Sequence, residues 1–277
     1  LAAGDAPRAD RSGGVPVTLD LVAAPFLGRS PRVSRAFGAK LARVEAALRD
    51  AYLEEMLTLP ASEQPTFVAW HGVRGVGGYR EGAGYHGKGR AIDINYSRNG
   101  YAACATHTAR GLVYGGESAG AKLPGVRRAF IAACGRACAA AGVLCDLSAR
   151  RAGESTASVW DRWHVVSEAV RVYLAPYFPA VDDLDAGEAD TLPGVTIPAQ
   201  VMADYQALRV PLVVGQPVAR PRLTRNPAKG LMDLRRAVVV ALCDVGGMRW
   251  GGCDFGAGSS SDLMHFDDAS RIPSGAV

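Results

Sequence analysis

The stretch YHGKGRAID, residues 85–93, read together with SSSDLMHFDD, residues 259–268, decides how this chain is expected to fold. In the first, Gly87, Lys88 and Gly89 form a flexible turn between His86 and Asp93, and the run from Arg90 to Ile94 is strand-like. Alternation places Ala91 and Asp93 on one face of that strand, with Ile92 and Ile94 on the other. In the second, Asp262 precedes His265 by three residues, and the Gly- and Ser-rich residues 256–261 supply the turn needed to aim both side chains inward. Two imidazoles and a carboxylate suit a zinc ion whose fourth position is left to water. His86, Asp93 and His265 are therefore the candidate metal ligands.

These segments resemble the zinc peptidases that include D-alanyl-D-alanine carboxypeptidases and L-alanyl-D-glutamate endopeptidases, which are related in fold to the hedgehog signalling domain. Trp250-Gly-Gly-Cys-Asp-Phe255 is similar to the tryptophan-diglycine-aspartate-aromatic segment before the last ligand of that family, with Cys253 as an extra residue. The matching blocks cover residues 77 to 96 and 246 to 268. The resemblance implies that His86, Asp93 and His265 bind zinc and that Asp262 is the general base. It also implies that Arg80, six residues before the first ligand, steadies the substrate carbonyl, and a guanidinium there suits either a developing oxyanion or a substrate carboxylate. Gly84 stands where the family commonly has Ser, so a hydroxyl near the site is either missing or supplied by Tyr85. Tyr85 and Trp250 are the candidate substrate-contacting residues. The chemistry implied is hydrolysis of an amide bond in a peptidoglycan stem peptide, by an endopeptidase or a D,D-carboxypeptidase. The alternative is a metal-containing module that binds the cell wall, or serves a delivery system, without turnover.

Composition fits an enzyme of this kind. A hydrophobic content of 48% over 277 residues excludes a disordered chain and allows a substantial core. No apolar run approaches the roughly 20 residues needed to span a bilayer. The chain is thus expected to be soluble, and secreted, periplasmic or delivered to a bacterial wall. It begins at Leu1 rather than Met, as expected of a processed or trimmed chain. A net charge of +4 favours an anionic surface and is too small to indicate nucleic acid. The basic residues are mostly arginine and scattered, with no nucleic-acid or nucleotide-binding motif. Six cysteines permit disulfides, with Cys145 pairing with Cys134 or Cys138, and Cys243 with Cys253.

The expected architecture is an α+β domain: a small antiparallel sheet carrying the zinc site, a helix behind it, and a large, mostly helical insertion at about 101–229. Residues 1–28 read as a loose lead-in, and the peptidase domain as 29–277. Ser30 and Pro31 offer a helix start, followed to about Leu57 by the stripe Val33, Phe37, Leu41, Val44, Leu48 and Tyr52. Thr66 to Trp70 reads as a buried strand ending at His71. Further helices are expected over Val126–Ala141, closed by Gly142, over Ser155–Leu174, and over Leu231–Cys243. His164 reads as a satisfied helix residue and His107 as a loop residue without an evident partner. The acidic run from Asp182 to Asp190 is expected to be a solvated linker, and Pro211 to Pro227 an extended crossing segment.

Overall fold

A computed structural model describes residues 19–81, 84–95, 123–148, 150–181, 191–208, 226–254 and 263–269. The fold is α+β, with two small antiparallel sheets and packed helices. Strand β1 (Leu21–Ala23) pairs with β2 (Arg32–Ser34), and helix α1 (Arg35–Met56) leaves directly from β2. Ser34, not Ser30, caps α1: its backbone is extended and its Oγ accepts from the Phe37 N–H at 3.3 Å. Both serines qualify locally, but pairing of Val33 with Val22 keeps the chain extended four residues longer. The lead-in is likewise shorter than residues 1–28, because β1 is ordered into a sheet and Phe26 and Leu27 are fully buried. Residues 1–18 lie outside the described part.

Helix α1 buries Phe37, Leu41, Val44 and Leu48, the stripe expected from its spacing. Each such side chain contributes about 1.5–3 kcal/mol when fully buried. The following segment corrects the expected strand at Thr66. Residues Phe67–His71 form a short helix, α2, with Thr66 Oγ1 accepting from Ala69 N–H and Gly72 closing it at φ 64°. A brief apolar run does not distinguish strand from helix, and here the cap and the left-handed glycine decide.

The second sheet has the order β3 (Val76–Gly77), β4 (Ala91–Ile94), β6 (His265–Asp267), β5 (Arg249–Trp250), all antiparallel. All four residues of β4 are buried, so both its faces are covered. Helix α3 (Leu123–Ala140), helix α4 (Thr156–Leu174) and helix α5 (Ala199–Leu208) pack together between β4 and β5 in the chain. Gly142 follows α3 at φ 68°. In α4, Val159, Trp163, Val166 and Val170 are buried, while Tyr173 donates its hydroxyl to Asp204 of α5. Arg136 of α3 reaches the same fully buried carboxylate, so one acidic side chain ties the three helices together.

Helix α6 is shorter than the expected Leu231–Cys243. It begins at Arg236, runs to Val240 and widens into a π-helical turn over Ala241–Val245. Residues 231–235 precede the helix, with Leu231, Met232 and Leu234 buried. The helical group is fastened to the segment before β6. Trp163 Nε1 donates to Gly252 O at 2.8 Å, and Arg150 grips Asp254 through two nitrogens. Asp254 in turn accepts from Trp250 N–H at 3.0 Å. Cys134, Cys138, Cys145, Cys243 and Cys253 are free thiols, contrary to the expected disulfides; burial raises the Cys138 thiol to about 12, and Cys138 shares a hydrogen bond with Cys145. His107, the acidic run from Asp182 to Asp190 and most of the proline-rich segment lie outside the described residues.

Candidate metal centre

Antiparallel pairing sets Asp93 of β4 directly opposite His265 of β6, so their side chains share one face at adjacent positions. His86 joins them from a 3-10 turn, His86–Lys88, that is held from several directions. Gly89 closes the turn at φ 63°, and its carbonyl accepts from Ser34 N–H at 2.8 Å. A Cβ at Gly89 would lie 2.5 Å from Ser34 N, so only glycine permits this approach to β2. Tyr85 O accepts from Arg90 N–H at 2.9 Å, which returns the chain into β4.

The three functional atoms converge. His86 Nε2 is 3.2 Å from Asp93 Oδ1 and 3.2 Å from His265 Nδ1, and His265 Nδ1 is 3.0 Å from Asp93 Oδ1. A tetrahedral ion at about 2.0–2.1 Å from each donor would separate them by roughly 3.3 Å. By composition and geometry His86, Asp93 and His265 could hold a metal ion between them, and all three are well shielded from solvent. The same donor set suits several divalent ions.

The surroundings prepare the imidazoles. His86 Nδ1–H donates to Gly78 O at 2.7 Å, which leaves Nε2 as the lone-pair nitrogen facing the triad. Burial, with the neighbouring His265 and Arg80, lowers the His86 pKa to about 4, so the ring is neutral at pH 7, as a ligand must be. His265 faces the triad with Nδ1, and its other nitrogen, Nε2, lies 3.4 Å from Asp267 Oδ2. Asp267 is 1% exposed and is held by a two-point bond from Arg249 at 2.8 and 2.7 Å and by Ala269 N–H at 3.0 Å. Burial pushes the Asp267 carboxyl up, but hydrogen bonds from His265 and Arg249 outweigh it and hold it at about 2.

Arg80 is placed at the triad: its half-exposed guanidinium pairs with Asp93 Oδ2 and lies 3.4 Å from His86 Nε2. Tyr85 is half-buried, with the cations of Lys88, Arg90 and Arg249 between 5.5 and 5.8 Å from its ring centre. Trp250 is a correction. Its ring is fully buried, stacked with Phe266, and its Nε1 donates to Leu263 O at 2.9 Å, so it packs the sheet and has no surface to offer a substrate. Asp262 lies outside the described residues, one position before that anchored Leu263.

Gly78, Asp267 and Arg249 were not recognisable as site residues from the motifs. Asp267 had a usable signal, since i and i+2 of a strand share a face. Gly78 acts through a carbonyl, which sequence does not mark. His164 stacks on Trp160 at 4.6 Å, apart from the triad. Both rings line a cleft of about 500 Å³ with Trp70, Asp233 and Arg235, and that cleft includes none of the three metal-type side chains. Among the described residues no helix is long and apolar enough to cross a membrane. Comparisons with protein-family models, with curated proteins and with solved structures find no match.

Proposed function

We propose that this chain is a zinc-dependent peptidase that hydrolyses an amide bond in peptidoglycan stem peptides, as an endopeptidase or a D,D-carboxypeptidase. The observation that carries the reading is the convergence of His86 Nε2, Asp93 Oδ1 and His265 Nδ1 beside the Arg80 guanidinium. The resemblance of residues 77 to 96 and 246 to 268 to the peptidase motifs supplies the substrate class. Zinc held by the triad would provide a Lewis acid and a water with its pKa lowered to about 7.

The chain's own residues supply the rest. Asp262 takes the proton from the attacking water and delivers it to the leaving amine. Arg80, permanently charged and half-exposed, moves from Asp93 Oδ2 toward the substrate carbonyl oxygen as charge develops there. Gly78 O fixes the His86 tautomer throughout. The exposed cation of Lys88 favours an anionic substrate such as a carboxylate-bearing peptide. A wall-degrading role places the protein outside the cytoplasm.

Elemental analysis and product mass determination on purified muropeptides test the proposal together. The expected result is one zinc per chain, lost in His86→Ala, Asp93→Ala and His265→Ala, and cleavage at a single type of peptide bond. Asp262→Asn should retain zinc and lose activity by about 100-fold or more. Zinc binding with no cleavage of any muropeptide would favour the non-catalytic module, and full occupancy in all three ligand variants would refute the metal assignment.

A further inference from the structure

Among the described residues, Asp267 is a buried carboxylate that contacts a triad side chain without being aimed at the triad. It touches the nitrogen of His265 that faces away from Asp93 and His86. We infer that Asp267 is a positioning residue: by accepting from His265 Nε2–H it presents the Nδ1 lone pair to the metal, an inference that rests on the metal-site reading above.

The geometry has two independent parts. First, His265 and Asp267 are alternate residues of β6, so their side chains rise from the same face of a strand whose register with β4 is fixed. Second, the carboxylate is itself immobilised. Arg249 of β5, paired with Asp267 across the strands, donates two bonds to it, and Ala269 N–H adds a third. A carboxylate placed only to neutralise Arg249 would not need an oxygen at the imidazole. A ligand histidine bound through Nδ1 presents its Nε2–H on the opposite side, where an unpaired donor in this enclosed position would be costly. The two histidines thus use opposite nitrogens, His86 backed by a neutral carbonyl and His265 by an anion. The anion makes His265 the more strongly donating of the two.

The test uses the full chain and reads zinc affinity, not turnover. Chelator competition should show zinc binding weakened about 10- to 100-fold in Asp267→Asn. Arg249→Lys keeps the positive charge beside Asp267 but loosens the two-point grip, and should weaken zinc clearly less than Asp267→Asn, which removes the anion itself. Absorption of the cobalt-substituted protein should shift more in Asp267→Asn than in Arg249→Lys. Equal weakening in both variants, or none in Asp267→Asn, would overturn the inference and leave a purely structural ion pair. Should the parent bind no metal, nitrogen NMR of the histidines at a pH where they are neutral still decides: His265 is expected as the Nε2–H tautomer and His86 as Nδ1–H. Finding Nδ1–H at His265 would refute the positioning role, whereas absence of zinc with the expected tautomers would refute only the metal reading.

Discussion

Gly78 is where the smallest change should do the greatest damage to the site. A Cβ at this position would lie 2.3 Å from the carbonyl oxygen of Arg32 and 3.1 Å from both Arg32 N and Pro31 Cβ. Arg32 cannot turn aside, because it is paired in β2 and its carbonyl also accepts from Tyr79 N–H at 2.7 Å. In Gly78→Ala the two backbones must part by roughly 0.7 Å or more to reach even a tight carbon–oxygen contact. The Gly78 carbonyl is also the acceptor for His86 Nδ1–H at 2.7 Å. A displacement of that size carries the bond past its useful range of about 3.2 Å. The overpacking itself should cost about 1–3 kcal/mol of stability. Release of the His86 tautomer should weaken zinc about 10- to 100-fold. Chelator competition and thermal unfolding measure the two effects separately. Gly135→Ala, in α3 with nothing within 4 Å of the added Cβ, is the control and should be neutral or stabilising. A Gly78→Ala protein with zinc affinity within threefold of the parent and an unchanged melting temperature would refute this reasoning.

Two further outcomes follow from buried side chains. His71 is 2% exposed and burial lowers its pKa, so the folded state takes up its proton less readily than the unfolded chain, whose histidines titrate near ~6.5. Stability should therefore hold above that pH and fall as the pH drops below it, and in urea titrations His71→Leu should flatten that fall; the same pH dependence in parent and variant would count against the assignment. Trp250→Phe loses the bond to Leu263 O and part of a fully buried ring, and should cost about 2 kcal/mol with little change in KM for a peptide substrate. A tenfold rise in KM without loss of stability would return Trp250 to the substrate.

The parts of this molecule that sequence discloses are those where one pattern has one physical solution. The Phe37–Leu41–Val44–Leu48 stripe could bury itself only as a helix, and Ser155 before the Val159–Trp163–Val166 stripe marked the start of α4. His86, Asp93 and His265 stood out because their residue types and spacing jointly suit a metal. Boundaries failed where tertiary partners chose between equal local options. Ser30 and Ser34 are both good caps, and strand pairing selected the second. Thr66 to Trp70 is too short for periodicity to identify, and its cap and Gly72 made it a helix. Trp250 misled for a different reason: its position beside the site motif said nothing of which way the indole points.

The triad joins residues 179 positions apart in the chain, and Asp93 meets its second imidazole only when β6 docks against β4. Closing so long a loop is slow compared with forming the local β3–β4 pair, so the site is among the late products of folding. A growing chain that has made His86 and Asp93 therefore carries two donors and no complete cage. Hydrolytic capacity, on the proposed function, is withheld from every partly synthesised or partly folded form. The arrangement acts as a timing device: the chemistry is enabled by completion of the fold itself.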